Sequence, residues 1–305
     1  MTTGRFAPSP SGSLHLGSLR TALLAWCAAR RDGGTFLVRM EDLTTGAAPV
    51  REAEQLEDLA TLGLDHDGAV VRQSERTHLY DAAIDRLVEA ELAYPCWCSR
   101  REIAEAAAAP HGPPKGVYPG TCRDLDAAAR RERAAATGRP PALRLRAGGV
   151  TQTVVDGLHG ELSEQVDDLV LRRADGVAAY NLAVVVDDAA QGVDQVVRGD
   201  DLLATTPRQV LLQRLLDLPT PEYLHVPLVL GPQGERLAKR HGAIGLRDRL
   251  ALGETPAQVL GMLAASVGLG EWGEELRAEQ VLERFDPERL SRAPWRFYSR
   301  PPSGR

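Results

Sequence analysis

The spacing of apolar residues predicts short strands and amphipathic helices in the first part of the chain. Apolar runs predict one strand over about 4–9 and a second in GTFLVRMED, residues 34–42. Helical spacing over about 17–31 lies between them, and two further helical patterns follow at 48–64 and 76–93. This order predicts a βαβ opening, with the later helices packed on a parallel sheet.

The pattern is interrupted between 96 and about 141. This segment contains the alanine-rich EIAEAAAAP, the loop HGPPKGVYPGTC and the charged stretch RDLDAAARRERAAATGRPP. Proline and glycine clusters favour loops over regular elements. We therefore predict that the segment is an insertion into the surrounding α/β domain.

Strand and helix patterns return after the insertion and predict a second β-α-β unit. Strand patterns lie in ALRLRA and in DLVLRRADGVAAY, where Asp175 and Gly176 predict a turn. The second unit consists of VDQVVRGDD, a helix over about 206–216 and LHVPLVLG. Beyond 245 the pattern is helical, with Thr255 and Pro256 at the N-cap and the first helical position.

These patterns divide the chain into two halves of an α/β domain, an insertion between them and a helical C-terminal region. The four predicted regions are 1–95, 96–141, 142–244 and 245–305. Of the 305 residues, 43% are hydrophobic and 26% are charged, which is typical of a globular protein. The apolar stretch TALLAWCAA is too short to span a membrane, so we expect a cytoplasmic protein.

The formal net charge of −6 gives no general attraction to nucleic acid, so any such contact needs a local basic patch. The insertion has one candidate patch of six arginines: Arg100, Arg101, Arg123, Arg130, Arg131 and Arg133. The alternative is a solvated helix whose charge is balanced by neighbouring acids, which are Glu102, Asp124, Asp126 and Glu132.

The loop between the first strand and the first helix, within RFAPSPSGSLHLGSLRTALLAW, is a candidate ligand site. Ligands bind at such positions in open parallel sheets. Glycines allow the backbone to approach a ligand, and the N-terminus of the following helix favours phosphate. The loop matches neither common phosphate-binding glycine motif, so an ordinary turn is the alternative.

Three of the four cysteines form a candidate metal site. Cys27 lies in the apolar helix and is expected in the core. Cys96 and Cys98 are two residues apart, and Cys122 follows in a proline and glycine loop, a set of thiols that suits zinc. A loop of reduced thiols is the alternative. Spacing alone leaves three residues open as a fourth ligand: His111, Tyr118 and Asp124.

Two motifs resemble those of the glutamyl group of class I aminoacyl-tRNA synthetases. APSPSGSLHLGS resembles the ATP-binding HIGH region, and RLAKRHG at 236–242 resembles the KMSKS motif. LVRMED, VVVDDAAQGVDQVVRGDDLLATTPRQ and YLHVPLVLG extend the resemblance over about 4–245. It implies a Rossmann-type nucleotide-binding fold with an inserted zinc-bearing subdomain and a helical C-terminal region.

The short length and the segments YPCWCSR and VYPGTCR make the chain most similar to a truncated branch of that group, which lacks the anticodon-binding domain. Members of this branch activate glutamate and attach it to queuosine at the wobble position of tRNA(Asp). The resemblance thus implies L-glutamate, ATP with Mg²⁺, and queuosine-bearing tRNA(Asp) as partners of a monomeric ligase. Val184 also favours this branch, because glutamyl-tRNA synthetases typically have asparagine there.

The resemblance assigns roles to particular residues. It implies catalytic and ATP-binding roles for residues of both motifs: Ser9, Gly12, His15, Gly17 and Lys239. It implies that glutamate is bound by two arginines for its carboxylates, one acid for its ammonium group and two hydroxyls: Arg5, Arg198, Glu41, Ser9 and Tyr180. The branch's Cys-x-Cys…Tyr-x-x-x-Cys pattern implies one structural zinc ion on Cys96, Cys98, Tyr118 and Cys122.

The second motif departs from the family pattern, since Arg236 replaces its first lysine and Ala238 its serine. Arginine keeps the charge but not the compact geometry of an ammonium group. The departures concern the efficiency of catalysis. Two alternatives to the implied function are open, and the altered second motif motivates the second of them. One is a short synthetase that charges a tRNA 3′ end with glutamate, and the other is an inactive nucleotide- or RNA-binding relative.

Overall fold

A seven-stranded, mostly parallel sheet is the frame of the molecule. The computed structural model describes residues 1–44, 48–108, 117–237, 242 and 244–298. The strands are β1 Thr3–Phe6, β2 Thr35–Met40, β3 Val71–Arg72, β4 Ala93–Cys96, β5 Ala142–Leu145, β6 Thr151–Asp156, β7 Gly160–Gln165, β8 Val170–Arg172, β9 Gln195–Gly199, β10 Glu222–Val226, β11 Val229–Leu230 and β12 Trp295–Arg296. The helices are α1 Leu16–Arg30, α2 Pro49–Thr61, α3 Thr77–Glu89, α4 Arg100–Ala108, α5 Ala127–Thr137, α6 Tyr180–Ala190, α7 Thr206–Leu215, α8 Leu246–Ala251, α9 Pro256–Ala265 and α10 Ala278–Arg284.

The order of the strands confirms both predicted β-α-β units. The sheet runs β3-β2-β1-β9-β10-β6-β7, and its first six strands pair in parallel. β1 and β9 are neighbours although α1 and much of the chain separate them, so the strand order reverses at this pair. Such a reversal opens a crevice at the carboxyl ends of the strands.

The β6–β7 hairpin at the sheet edge was not predicted. Its strands pair antiparallel from Thr151 with Gln165 to Asp156 with Gly160. Along β6, exposed and buried residues alternate, which is the pattern of a strand with one face in water. Two threonines and a glutamine in TQTVVD weaken its apolar signal.

Helix α1 is the centre of the largest core. It packs on β1, β2 and β9 on one side and on α9 and α10 on the other. A helix covered on both sides is apolar around most of its circumference, which explains the run TALLAWCAA. Cys27 is fully buried there, as expected. Leu59 of α2 belongs to the same cluster, which also contains Phe36 and Val38 of β2.

Helix α3 corrects one expectation. Its buried residues, such as Tyr80 and Ile84, join a second cluster with α6, α7 and a small antiparallel sheet, instead of packing on the parallel strands. That small sheet has the order β4-β5-β8. The insertion, with α4 and α5, lies between β4 and β5, so its two ends meet where these neighbouring strands pair, at Cys96 and Ala142.

The predicted strand over 168–180 is shorter than expected. β8 ends at Arg172, and the predicted turn follows at Asp175 and Gly176, where Gly176 has a φ of +88°. Tyr180 is already the first residue of α6. The run VVVDDAA belongs to this helix. Its two adjacent aspartates, Asp187 and Asp188, are buried, so the buried side of the helix is apolar up to Val186 and charged after it.

The C-terminal region is helical, as predicted. The Thr255 hydroxyl accepts from the Gln258 backbone N–H at 3.2 Å, and the Gln258 side chain accepts from the Thr255 N–H at 2.9 Å. This reciprocal pair is a capping box, with Pro256 at the first helical position. In the described part of the chain, no helix is both long and apolar enough to cross a membrane.

Candidate active site and metal centre

Two adjoining pockets lie at the carboxyl ends of the parallel strands. The larger has a volume of about 530 Å³, and the smaller has a volume of about 310 Å³. Both are lined by residues that end or follow β1 and β9, and they share Phe6, Ala7, Thr21 and Leu202. We name the larger the loop cleft and the smaller the arginine pocket. Their position agrees with the reversal of strand order between β1 and β9.

The loop cleft contains four of the residues assigned to ATP. Ser9, Gly12, His15 and Gly17 all line it. Gln55 of α2 holds the loop, since its amide nitrogen donates to the backbone oxygens of Gly12 at 2.7 Å and Ser9 at 3.1 Å. Sequence reasoning missed Gln55, because a glutamine in a charged amphipathic helix gives no signal of burial.

His15 is the N-cap of α1. Its Nδ1 accepts from the Ser18 backbone N–H at 3.1 Å, and it therefore satisfies one free donor at the helix start. Burial lowers the pKa of His15 below 6.5, so the neutral imidazole is the dominant form at neutral pH. The Leu16 N–H also donates to the Ile244 oxygen at 2.7 Å, which ties this turn to the chain beyond the second motif.

Gly17 is a glycine because of a close approach. A Cβ added there would lie 3.0 Å from the His15 ring and 3.4 Å from Val229 Cβ. Any larger residue would push the imidazole away from its position. At Gly12, in contrast, an added Cβ would meet no atom within 4 Å.

The arginine pocket contains four of the five residues assigned to glutamate. Arg5, Glu41, Tyr180 and Arg198 line it together, although they come from four different parts of the chain. Ser9, the fifth, lines the loop cleft. The pocket thus presents two cations, one acid and one phenol, the set of groups that complements two carboxylates and an ammonium ion.

A buried network of charges holds Arg5. Its Nε lies 3.2 Å from Asp188 Oδ1, and the same carboxylate lies 2.8 Å from Arg39 Nη1. Arg39 is completely buried, with Glu41 Oε1 at 3.5 Å and Asp187 Oδ2 at 3.8 Å. Burial opposes these charges, but Arg5 and Arg39 lower the pKa of Asp188 nevertheless. Burial raises the pKa of Glu41, and both arginines partly offset that effect.

Arg198 has uncharged partners instead. Its Nε donates to His225 Nε2 at 2.9 Å, and its Nη2 donates to the Thr206 hydroxyl at 2.8 Å. On its other side, His225 Nδ1 lies 2.7 Å from Asp156 Oδ2. Sequence reasoning missed His225 and Asp156, which are 69 positions apart and have no shared motif.

The second motif is described only at its edges. Arg236 lines the loop cleft, and its Nη2 lies 3.0 Å from Asp201 Oδ2, with 81% of the arginine side chain exposed. Ala238 and Lys239 lie outside the described residues. The structure therefore brings the first motif to the cleft and the start of the second motif to its rim.

The three cysteines of the insertion converge on one point. The Sγ atoms of Cys96, Cys98 and Cys122 lie within 4.8 Å of one another, and those of Cys98 and Cys122 are 3.6 Å apart. The hydroxyl oxygen of Tyr118 lies 3.2 Å from Cys96 Sγ and 3.8 Å from Cys98 Sγ. Tetrahedral zinc with bonds of about 2.3 Å places sulfurs at such separations, so this set fits a metal ion.

Of the two described candidates for a fourth ligand, Tyr118 is therefore the one that lies at the cluster. Asp124 is directed to Arg146 Nη1 at 2.9 Å, and His111 lies outside the described residues. Hydrogen bonds with the Cys98 thiol, the Tyr118 hydroxyl and Arg144 lower the pKa of Cys96 to about 4. The cluster thus favours at least one thiolate, the form that binds metal.

The basic patch predicted in the insertion is partly neutralised within the protein. Arg133 pairs with Glu102 at 2.9 Å, Arg101 with Glu105 at 3.4 Å, and Arg123 with the buried Asp168 at 2.6 Å. Arg101 and Arg133 lie on α4 and α5, so their pairs favour the solvated-helix alternative, whereas Arg123 lies outside both helices and pairs with a buried acid.

Comparison with known proteins identifies the family of the chain. The family model of class I tRNA synthetases (E and Q), catalytic domain, matches residues 1–300. A glutamyl-Q tRNA(Asp) synthetase of Nocardia farcinica is 60% identical over 292 residues, covering 96% of this chain and 92% of that protein. The one of Symbiobacterium thermophilum is 47% identical over 311 residues, covering 97% and 96%.

Solved structures lead to the same group. A glutamate tRNA ligase from Elizabethkingia meningosepticum, in complex with its amino acid, superposes with a TM-score of 0.82 at 26% identity, over 98% of this chain and 67% of that one. These matches confirm the resemblance seen in the two motifs and the class I fold that it implied. The chain therefore belongs to the class I tRNA synthetase (E and Q) catalytic-domain family and, within it, to the glutamyl-Q tRNA(Asp) synthetases.

Proposed function

We propose that this protein activates L-glutamate with ATP and transfers the glutamyl group to queuosine at the wobble position of tRNA(Asp). The observation that carries the proposal is the pair of adjoining pockets, one lined by the first motif and the other by Arg5, Glu41, Tyr180 and Arg198. The relatives named for this reaction match nearly the whole chain.

The arginine pocket is proposed to bind glutamate. Arg5 and Arg198 bind its two carboxylates, Glu41 binds the ammonium group, and Tyr180 contributes a hydroxyl. A guanidinium group pairs with a carboxylate through two parallel hydrogen bonds. Two arginines therefore make the pocket selective for an amino acid whose side chain carries a second carboxylate. Ser9 lines the loop cleft, so its contact is proposed where the amino acid meets ATP.

The loop cleft is proposed to hold ATP with Mg²⁺. The glutamate carboxylate attacks the α-phosphorus, the bond to the β-phosphate oxygen breaks, and pyrophosphate leaves as glutamyl-adenylate forms. Negative charge grows on the phosphoryl oxygens in this step, so nearby donors stabilise its transition state. His15 and the backbone near Gly17 act there, with Gly12 in the same wall, and Lys239 binds the polyphosphate.

Transfer completes the reaction. A hydroxyl of the queuosine cyclopentenediol attacks the mixed anhydride, an ester forms, and AMP leaves. Because glutamate, ATP and tRNA are substrates of translation, we propose that the protein acts in the cytoplasm. We also propose that it is a monomer. Sedimentation of the protein alone and with tRNA(Asp) tests the monomer.

The first experiment is glutamate-dependent exchange between pyrophosphate and ATP without tRNA. We expect exchange by the wild type and its loss in Lys239→Ala, because the ammonium group is needed while charge builds on the phosphates. The matched control is Arg277→Ala, an exposed cation of the C-terminal region, which we expect to retain exchange. No exchange under any condition would instead favour an inactive relative.

The second experiment identifies the acceptor. Labelled glutamate is offered with tRNA(Asp) that carries queuosine, with the same tRNA lacking queuosine, and with tRNA(Glu). We expect product with the first alone. Product with tRNA(Glu) would contradict the proposed acceptor and support the short synthetase that charges a 3′ end.

We further propose that Cys96, Cys98, Tyr118 and Cys122 hold one structural zinc ion. The four ligand atoms converge, and the cluster belongs to the insertion and not to the two pockets. Zinc bound there would link the segment of Cys96 and Cys98 to the segment of Tyr118 and Cys122. These two segments share a small hydrophobic cluster that is separate from the main core, and metal binding would stabilise their fold.

Metal analysis tests the zinc site. We expect one zinc per wild-type chain, its loss in Cys122→Ser, and lower thermal stability of that variant. Cys27→Ser is the control, because that buried thiol lies in α1 and should not change the zinc content. A full zinc content in Cys122→Ser would contradict the ligand set.

A further inference from the structure

The guanidinium group of Arg198 is held by a buried chain of two further residues. We propose that His225, kept by Asp156 as the neutral tautomer with its proton on Nδ1, is a positioning residue that aims Arg198 at the carboxylate of the amino-acid substrate. The inference rests on the proposed role of the arginine pocket. It adds two residues that do not line that pocket.

The donors and acceptors fix the tautomer of His225. An arginine nitrogen can only donate, so Nε2 of His225, 2.9 Å from Arg198 Nε, must accept. The proton of the neutral ring therefore lies on Nδ1, which points to Asp156 Oδ2 at 2.7 Å. A protonated imidazole would place an N–H against the N–H of Arg198.

Asp156 is itself fixed by the backbone. One carboxylate oxygen accepts from the N–H groups of Leu158 and His159, each at 2.9 Å. The other accepts from the His225 backbone N–H at 2.9 Å as well as from the ring. Although burial opposes it, hydrogen bonds from the His225 ring and the backbone N–H groups lower the pKa of Asp156. Its carboxylate is thus a rigid, charged acceptor at the end of the chain.

The packing around His225 leaves it no alternative position. The ring is fully buried and lies 6.0 Å, centroid to centroid, from the Tyr223 ring at an interplanar angle of 17°. Arg198 lies over the same tyrosine, with its guanidinium carbon 5.3 Å from the ring centroid. The Thr206 hydroxyl lies 3.2 Å from His225 Nε2 and accepts from Arg198 Nη2. Two contacts therefore set the plane of the guanidinium group.

This arrangement also keeps the charge of Arg198 available. Arg5 shares its charge with Asp188 at 3.2 Å, whereas the two partners of Arg198 are uncharged. Among the described residues, the hydrogen bonds of Arg198 use Nε and Nη2, which leaves Nη1 for a ligand. A fully charged and oriented cation binds a carboxylate more strongly than one that is already neutralised. We therefore expect glutamate binding to depend on His225 more than ATP binding does.

Three variants of the full-length protein test the inference by glutamate-dependent pyrophosphate exchange. His225→Phe keeps the stacking on Tyr223 but removes the acceptor, and we expect the KM for glutamate to rise about 10- to 100-fold. The KM for ATP should stay within about twofold. His225→Gln retains an oxygen acceptor near the position of Nε2 and should restore most of the affinity for glutamate.

The matched control is His159→Gln. His159 is a neighbouring histidine whose Nε2 contacts the His225 backbone oxygen at 3.1 Å, not the Arg198 side chain. We expect its KM for glutamate to stay within about twofold of the wild type. An equal rise of both KM values in His225→Phe, or no rise for glutamate, would overturn the inference.

Nitrogen NMR of histidine-labelled protein gives a second readout that does not depend on activity or on the folding of His225→Phe. The signal absent from His225→Gln belongs to His225, and we expect a protonated Nδ1 and an unprotonated Nε2. The opposite tautomer or a doubly protonated ring would overturn the inference. A wild type without glutamate-dependent exchange would contradict the proposed function instead, while the tautomer would still be decided by NMR.

Discussion

The arginine pocket and the loop cleft adjoin, yet they are built on different principles. The charged groups of the arginine pocket belong to buried networks that span β1, β2, α6, β9 and β10. The loop cleft is lined by backbone, small residues and a neutral histidine, and its exposed cation Arg236 lies at the rim. The amino-acid side is thus preformed in the core, whereas the ATP side is held by a loop, a helix terminus and residues near the surface.

The difference follows from the groups that each pocket is proposed to bind. Two carboxylates on one short chain require two cations at matching positions, and buried hydrogen-bond and ion-pair partners hold the arginines there. A polyphosphate has many equivalent oxygens, so backbone N–H groups at a helix N-terminus suffice for part of its binding. Specificity for glutamate is expected to be more sensitive to buried residues than affinity for ATP is.

The largest effect is expected for Asp188→Asn. This change leaves the buried Arg5 and Arg39 without the charge that they share, and breaking a buried ion pair costs about 3–5 kcal/mol of unfolding free energy. The KM for glutamate should rise in the same variant because Arg5 loses its anchor. Urea unfolding and pyrophosphate exchange measure the two effects.

The control for this change is Asp81→Asn, which removes the partner of Arg172 from an exposed pair at 2.6 Å. Exposed pairs contribute about 0–1 kcal/mol. Equal losses of stability in the two variants would show that burial of the Asp188 network is not what stabilises the arginine pocket.

A smaller and more selective effect is expected for His15→Asn. Asparagine is a good N-cap residue, so α1 and the unfolding free energy should change by less than about 0.5 kcal/mol. Exchange should still fall roughly 100-fold, the loss typical of removing one transition-state donor. Unimpaired exchange in a stable His15→Asn protein would exclude the imidazole from the reaction.

The same variant separates two contributions to the pH dependence of stability. Burial lowers the pKa of His15 in the folded protein, so its stabilising neutral form is fully present above about pH 6.5. That contribution is lost as the pH falls below 6.5 through the folded-state pKa. We expect a smaller decrease in stability between about pH 7.5 and 5.5 in His15→Asn than in the wild type.

The smallest effect is expected for Asp201→Asn at the rim of the loop cleft. Its partner Arg236 is mostly exposed, and such pairs contribute no more than about 1 kcal/mol. The KM for ATP should therefore change by less than about fivefold, with no change in the KM for glutamate. A loss as large as that of His15→Asn would show that this pair fixes the second motif over the cleft.

Local signals in the sequence were sufficient for the elements that carry the site. The βαβ opening, the loop before α1, the core position of Cys27 and the N-cap at Thr255 all follow from spacing within a few residues. Tyr180 was placed in a strand because the segment before it has strand spacing, whereas its neighbours in the fold make it the start of α6. The spacing of apolar residues therefore predicted helix or strand correctly where the pattern extended over many residues.

The sequence by itself assigned residues to the proposed chemistry. The two motifs assigned the loop, the wider resemblance to the family assigned the arginines, and spacing together with the branch's cysteine pattern assigned the cysteines. Only the tertiary structure decided how those residues are supported. Arg39 meets Asp188 across 149 positions, and His225 meets Asp156 across 69. In the sequence, nothing distinguishes these residues from other polar residues. Their pairing arises only when the chain folds and excludes water, because a buried charge then needs a partner.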